Sequence, residues 1–164
     1  LAEGLSSLGD RPVGLKWPND LRVGGKKLGG VLCEYESKGG SPPAVIVGVG
    51  INLKAPPGDF PPDLRECATS LAATGAALPL ADTVLKTLLD RMESWYKKLL
   101  FKGFSAAKDR WAEMCDNFGD EVSLQGARSL VRGRVCGVDE SGELLLTLAN
   151  GKTIRIVAGE VMEG

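Results

Sequence analysis

The sequence contains no histidine at all. That removes the side chain that most often serves as a general base near neutral pH, and with it the usual middle member of a nucleophilic triad. Cysteines are few and scattered: Cys33, Cys67, Cys115 and Cys136 include no CxxC pair. Without histidine or paired thiols, a structural zinc site has little to be built from. Thiols dispersed in this way suit a reducing compartment, so the expected localisation is cytoplasmic. No stretch approaches the roughly 18 consecutive apolar residues of a membrane span, and no membrane partner is expected. Neither sign of charge dominates, with 20 basic against 21 acidic residues. That balance fits a globular protein better than a nucleic-acid-coating surface or an acidic disordered tail. An initiator methionine and a signal segment are also missing. Residues 1–9 read instead as the end of an apolar helix with Gly9 as its C-cap, so residue 1 is not expected to be a natural start.

Glycine is plentiful, at 22 of 164 residues. Short glycine clusters among apolar residues suggest close approach of backbone to backbone, or of backbone to ligand. Along the chain, residues 13–17 form a strand candidate that Pro18 stops. Two further strands flank Gly24-Gly25, the second running through residues 28–35. After a turn at 38–43, residues 44–53 are apolar nearly throughout, as in a central strand buried on both faces. Pro56, Pro57, Pro61 and Pro62 make the next stretch an ordered loop or lid. A helix start is possible near Thr69-Ser70-Leu71. Spaced apolar residues predict a long helix over 82–101 and a second over 105–114, separated by Gly103. Trp95, Tyr96, Phe101, Phe104 and Trp111 read as packing aromatics of these helices.

From Gly119 the pattern changes to period two, with candidate strands at 121–124, 131–138, 144–148 and 153–157. Gly126, residues 139–142 and Asn150-Gly151 supply turns. The expected architecture is an α/β (α+β type) mixed-sheet fragment over 1–118, followed by a small SH3-like β-barrel over 119–164. Arg128, Arg132, Arg134, Lys152 and Arg155 are spread over separate strands and lack interleaved aromatics, so no nucleic-acid partner is expected.

Three clusters can carry chemistry. Lys16-Trp17-Pro18-Asn19-Asp20 places a cation, an amide and a carboxylate at a strand end. Such a set suits a triphosphate with magnesium, or equally a turn whose side chains bond their own backbone. In Lys26-Lys27-Leu28-Gly29-Gly30-Val31-Leu32-Cys33-Glu34, two glycines interrupt a strong strand. Either a ligand or bulge lies there, or the segment is a surface hairpin with solvated lysines. Val47-Gly48-Val49-Gly50-Ile51-Asn52 alternates glycine on one face with branched residues on the other. It lacks the context of a dinucleotide fingerprint, and no phosphate loop of the GxxxxGK[ST] kind is present.

In this order and spacing, the three clusters resemble the signature of the biotin protein ligases, and the resemblance spans essentially the whole chain. It implies formation of biotinyl-5'-adenylate from biotin and ATP, then transfer of biotin to a lysine of a biotin carboxyl carrier protein or domain. Lys27 looks like the family's central lysine, with Asp20 and Lys16 as further catalytic candidates. Gly29, Gly30 and Leu32 would line biotin, and Gly48, Gly50 and Ile51 the floor beneath it. Lys16, Asn19, Asp20 and Asn52 would handle phosphates, with Asp20 and Asn52 as magnesium ligands. Residues 54–71 would approximate a lid over adenosine, and Glu160 resembles an acidic position facing the site. The family's loop of the form Gly-Arg-Gly-Arg-x-Gly-Arg is not found in this sequence. A missing N-terminal half, in the same or another chain, is therefore expected, with pairing into a homodimer as a further option. The alternative is a catalytically incomplete piece that binds adenylate or complements that half. Transfer of lipoate or octanoate is the third reading.

Overall fold

Gly24 and Gly25 both adopt left-handed backbone, with φ of 57° and 77°. Consecutive residues of that kind turn one strand back on its neighbour without splaying the pair. Through this turn β2 (Asp20–Val23) runs antiparallel to β3 (Lys26–Glu36). Strand β1 (Gly14–Lys16) adds to β2, and β4 (Ala44–Ile51) adds to β3, giving a four-stranded sheet in the order β1-β2-β3-β4. The computed structural model describes residues 1–37, 43–75, 77–125, 130–159 and 161–163.

Three helices cover part of this sheet. The first, α1 (Ala2–Ser6), ends at Ser7 in right-handed backbone, and Gly9 has no positive φ. Ser6 and Ser7 Oγ donate instead to the Ala2 and Gly4 carbonyls, at 2.9 and 2.7 Å. The expected glycine C-cap is thus replaced by hydroxyls bonding back onto the last turn. Helix α2 (Ala81–Lys102) stops at Gly103, whose φ is 69°, and α3 (Ser105–Met114) follows. Leu5, Leu21, Leu28, Leu71, Val84 and Leu88 meet in the first core. Burial of each such side chain contributes about 1.5–3 kcal/mol.

Two further expectations fail in this half. Strand β4 is not a central strand: it pairs only with β3, and all its residues but Ile51 are exposed. Its apolar run is the pattern of a doubly covered strand, and nothing in the described chain covers it. Nor do all the helix aromatics pack, because Tyr96 and Phe101 are 61% and 88% exposed.

The second sheet has the order β8-β7-β6-β5-β9, built from β5 (Glu121–Gln125), β6 (Leu130–Val138), β7 (Leu144–Thr147), β8 (Thr153–Ile156) and β9 (Val161–Glu163). Alternate side chains turn inward: Val122, Leu124, Val135, Leu144 and Leu146 are each no more than 2% exposed. The expected SH3-like barrel is corrected here. Strands β8 and β9 are consecutive in sequence yet stand at opposite edges of an open sheet, with no pairing between them. Period-two patterning and tight turns specify short antiparallel strands, but closure requires the two edges to bond each other. Among the described residues every pairing within the two sheets is antiparallel, and parallel geometry is confined to isolated bridges at Leu15–Cys115 and Lys27–Ala68.

Candidate functional site

The register of β2 on β3 sets Asp20 opposite Gly30, one strand across from the lysine hairpin. Lys27 Nζ lies 2.5 Å from Asp20 Oδ1, the lysine half-exposed and the carboxylate largely covered. A side chain at Gly30 would begin 3.7 Å from both Asp20 Oδ1 and the Lys27 stem, so the bare glycine keeps the space beside this pair free. The second glycine of the pair has another cause. A Cβ at Gly29 would stand 2.2 Å from the Gly50 carbonyl oxygen and 2.8 Å from Ile51 Cδ1. Gly29 is therefore fixed by the approach of β4. Gly50 itself has nothing within 4 Å of its missing side chain, and Gly48 meets only Leu32.

Lys16, Pro18, Asn19 and Asp20 form a wall shared by two clefts. On one side, a polar cleft of about 230 Å³ also takes in Lys27, Gly159 and Val161. On the other, a cleft of about 380 Å³ is lined by Val31, Leu32, Cys33 and Trp111 and is mainly apolar. A charged compartment and an apolar one meet at a single carboxylate. A further apolar cleft, of about 270 Å³ between the helices and the first sheet, includes Trp95 and Phe104 and none of the polar motif residues. The Trp17–Pro18 peptide is cis.

Asn52 sits at the β4 exit, where its Nδ2 donates to the Thr69 carbonyl at 3.0 Å. The stretch that follows the proline loop is strapped to the site by its backbone. Lys27 N donates to the Cys67 carbonyl at 2.7 Å, and Thr69 N returns a bond to the Lys27 carbonyl at 2.8 Å. Leu71 N bonds the Asn52 carbonyl, and buried Ser70 donates its Oγ to the Ala55 carbonyl at 2.6 Å. Sequence reasoning missed these ties, because backbone partners so distant in sequence leave no residue-type signal. It also missed Trp17 Nε1, which donates to the Gly142 carbonyl in the second sheet at 3.2 Å. Glu160 lies outside the described residues, as do Gly126 and Arg128.

Among the described residues, no three His, Cys, Asp or Glu side chains converge on a point that could hold a metal ion. Among the described residues that line the polar cleft, Asp20 is the one carboxylate. A single carboxylate does not make a resident metal cage, but it fits magnesium, which commonly binds through one or two carboxylates and substrate phosphates.

A lysine–carboxylate pair on an antiparallel sheet thus lines a polar cleft, and its carboxylate also lines a mainly apolar one. Comparison with known proteins narrows the class of such a site. The model of the biotin/lipoate A/B protein ligase family matches residues 2–52, and that of the biotin protein ligase C-terminal domain matches residues 118–162. The bifunctional ligase/repressor BirA of Bacillus subtilis is 31% identical over 152 residues, covering 92% of this chain and 46% of that protein. The biotin–[acetyl-CoA-carboxylase] ligase of Mycobacterium tuberculosis is 33% identical over 154 residues, covering 92% of this chain and 53% of that protein. Among solved structures, the biotin protein ligase of Aquifex aeolicus superposes with a TM-score of 0.85 at 31% identity, covering 99% of this chain and 70% of that one. The same Aquifex protein has been solved in complex with biotin and ATP, where the TM-score is 0.82. This chain belongs to the biotin protein ligase family. It spans about half the length of the curated relatives it matches.

Proposed function

We propose that this chain forms the nucleotide and acyl-adenylate side of a biotin protein ligase active site. The observation that carries the reading is the Lys27–Asp20 pair, set where the polar and apolar clefts meet. Biotin's carboxylate oxygen would attack the α-phosphorus of ATP, forming biotinyl-5'-adenylate as pyrophosphate leaves. An amine of the carrier domain would then attack the acyl carbon, losing a proton as AMP departs. Lys27 would offset charge on the phosphoryl and acyl oxygens, a preorganised contribution that water cannot match. Lys16 and Asn19 would bind phosphate oxygens. Asp20, helped by Asn52, would hold magnesium, which would neutralise phosphate charge. Gly29, Gly30, Leu32, Gly48, Gly50 and Ile51 would line the acyl side, and Asp20 is also placed to receive the amine proton.

The division at residues 118–119 follows from the same reading, with residues 1–118 catalytic and 119–164 a second unit. The carrier partner is a biotin carboxyl carrier protein or domain. Four free thiols suit a cytoplasmic setting. The test is carrier-dependent incorporation of biotin in the presence of ATP and magnesium. Lys27→Ala is expected to lower the rate by about 100-fold or more. An unchanged rate would remove the role assigned to Lys27.

The bare β4 strand favours a second reading for the chain by itself. Tyr35, Val45, Val47 and Val49 are exposed on one face of the β3–β4 pair, and Leu32 and Ile46 on the other. Monomeric proteins seldom leave a contiguous apolar patch of this kind uncovered. An N-terminal half would cover it, in the same or another chain, and a second copy pairing along β4 is the alternative. The chain alone would then bind the adenylate without turning over. Calorimetry with biotinyl-adenylate separates the two: binding without turnover supports the complementing piece, and efficient turnover rejects it.

A further inference from the structure

We infer that Trp17 is a positioning residue, through which the second sheet holds Lys16, Asn19 and Asp20 in register with Lys27. The inference rests on the proposed ligase site and concerns how that site is kept in shape. Trp17 lies inside the motif that supplies three of the site's polar groups. Its own side chain points away from the first core. It is 7% exposed and packs in the second core with Cys115, Val122, Leu124, Val135 and Leu146. The indole N–H ends on the Gly142 carbonyl at 3.2 Å.

The acceptor is itself held firmly. Gly142 has a φ of 83° and closes the turn between β6 and β7, where its N–H bonds the Asp139 carbonyl at 3.1 Å. Asp139 Oδ1 accepts from the amides of Ser141 and Glu143 at 2.8 and 3.0 Å, and Arg155 pairs with Oδ2 at 3.4 Å. A turn pinned from both sides is a fixed mooring. On the other side of the motif, Asp116 N donates to the Leu15 carbonyl at 3.0 Å, tying β1 to the chain just beyond α3. The polar cleft is also walled by Gly159 and Val161 of the second unit. The motif is thus fastened to the second sheet by Trp17, which borders the polar cleft together with its neighbours Lys16, Pro18, Asn19 and Asp20. Losing the indole bond leaves those groups with correct chemistry and loosened placement, which is costly where binding depends on preorganisation.

Trp17→Phe in the full-length protein keeps an aromatic ring in the second core while removing the N–H and part of the fused ring. Asp139→Ala, remote from the motif, frees the same acceptor and serves if the first variant folds poorly. Hydrogen exchange is followed at the amides of Lys16, Asp20 and Val31, with Val122 and Val135 in the second sheet as reference. Exchange at the first three is expected to rise about five-fold, the order of one lost hydrogen bond, while the reference amides stay unchanged. The KM for ATP is expected to rise by a similar factor, with the KM for biotin held. Unchanged exchange at the three amides, or an equal rise at all five, overturns the inference. A wild-type protein that turns over no biotin refutes the ligase reading instead, and the exchange result still decides the role of Trp17.

Discussion

The two sheets are both antiparallel, both glycine-punctuated and both rich in branched residues, yet they use their apolar side chains in opposite ways. In the second sheet, β7 alternates buried and half-buried residues, and Leu144 and Leu146 disappear into a core. In the first, β4 is more apolar and buries nothing fully. A strand is not stabilised by being hydrophobic; it is stabilised by what lies against it. The site grows where these regimes meet, on the end of β3 that is packed at Leu28 and bare from Leu32 onward.

The sharpest way to break that comparison is to make the same cut in both sheets. Leu146→Ala removes a side chain with no exposed surface and is expected to cost about 2–5 kcal/mol. Ile46 on β4 is 53% exposed, and Ile46→Ala should cost less than about 1 kcal/mol, the span of strand preference alone. Urea unfolding of both variants measures the difference. Equal losses would mean that β4 is covered in solution, by a second copy or by other chain.

Glycines sharpen it further, because two of them on the adjacent strands β3 and β4, Gly29 and Gly50, make opposite demands. Gly29→Ala drives a methyl into the Gly50 carbonyl, and the strands must separate; about 1–3 kcal/mol is expected, as for other overpacked positions. Gly50→Ala meets open space and should change stability by less than about 0.5 kcal/mol. In the ligase reading the same Gly50→Ala change weakens biotin binding, since the methyl enters the acyl floor. Thermal melts read the first contrast, and titration with biotin reads the second.

Much of this was legible in the residues. The Gly24-Gly25 hairpin, α3 and strands β5 to β8 lie within a residue or two of where periodicity and turn chemistry place them, whereas β9 is not among the expected strands. Local rules suffice for local structure. Apart from the Gly9 cap of α1, the failures concern partners distant in sequence. Residues 44–53 carry the composition of a doubly covered strand, but composition states a requirement for cover and cannot supply it. The same holds for Tyr96 and Phe101, whose helical spacing predicts a packed face that the described chain leaves open. Short strands with tight turns said nothing about whether β8 and β9 would meet. At the site, Lys27 and Asp20 were chosen from residue type and resemblance. Their 2.5 Å pairing depends on the β2–β3 register, which shifts between Leu21 and Arg22.

Two thiols carry the comparison to its smallest expected effect. Cys33 is exposed on the bare hairpin, whereas Cys115 is 8% exposed within the second core. Burial pushes the Cys115 thiol up to about 11 from an ordinary value of 9.0, and its bond to Asn117 only partly opposes this. The folded state therefore keeps a proton that the unfolded chain gives up. That contribution is complete below the unfolded value and is lost as pH rises from there toward 11. Urea midpoints are expected to fall over that alkaline window, and Cys115→Ala should flatten the fall. At about pH 8 an aromatic disulfide reagent should label Cys33 in the native protein well before Cys115, since Cys33 is exposed and burial keeps the Cys115 thiol protonated. Labelling of Cys115 at the rate of Cys33 would mean that the second core opens as readily as β4, and the contrast between the sheets would then be one of geometry without a difference in stability.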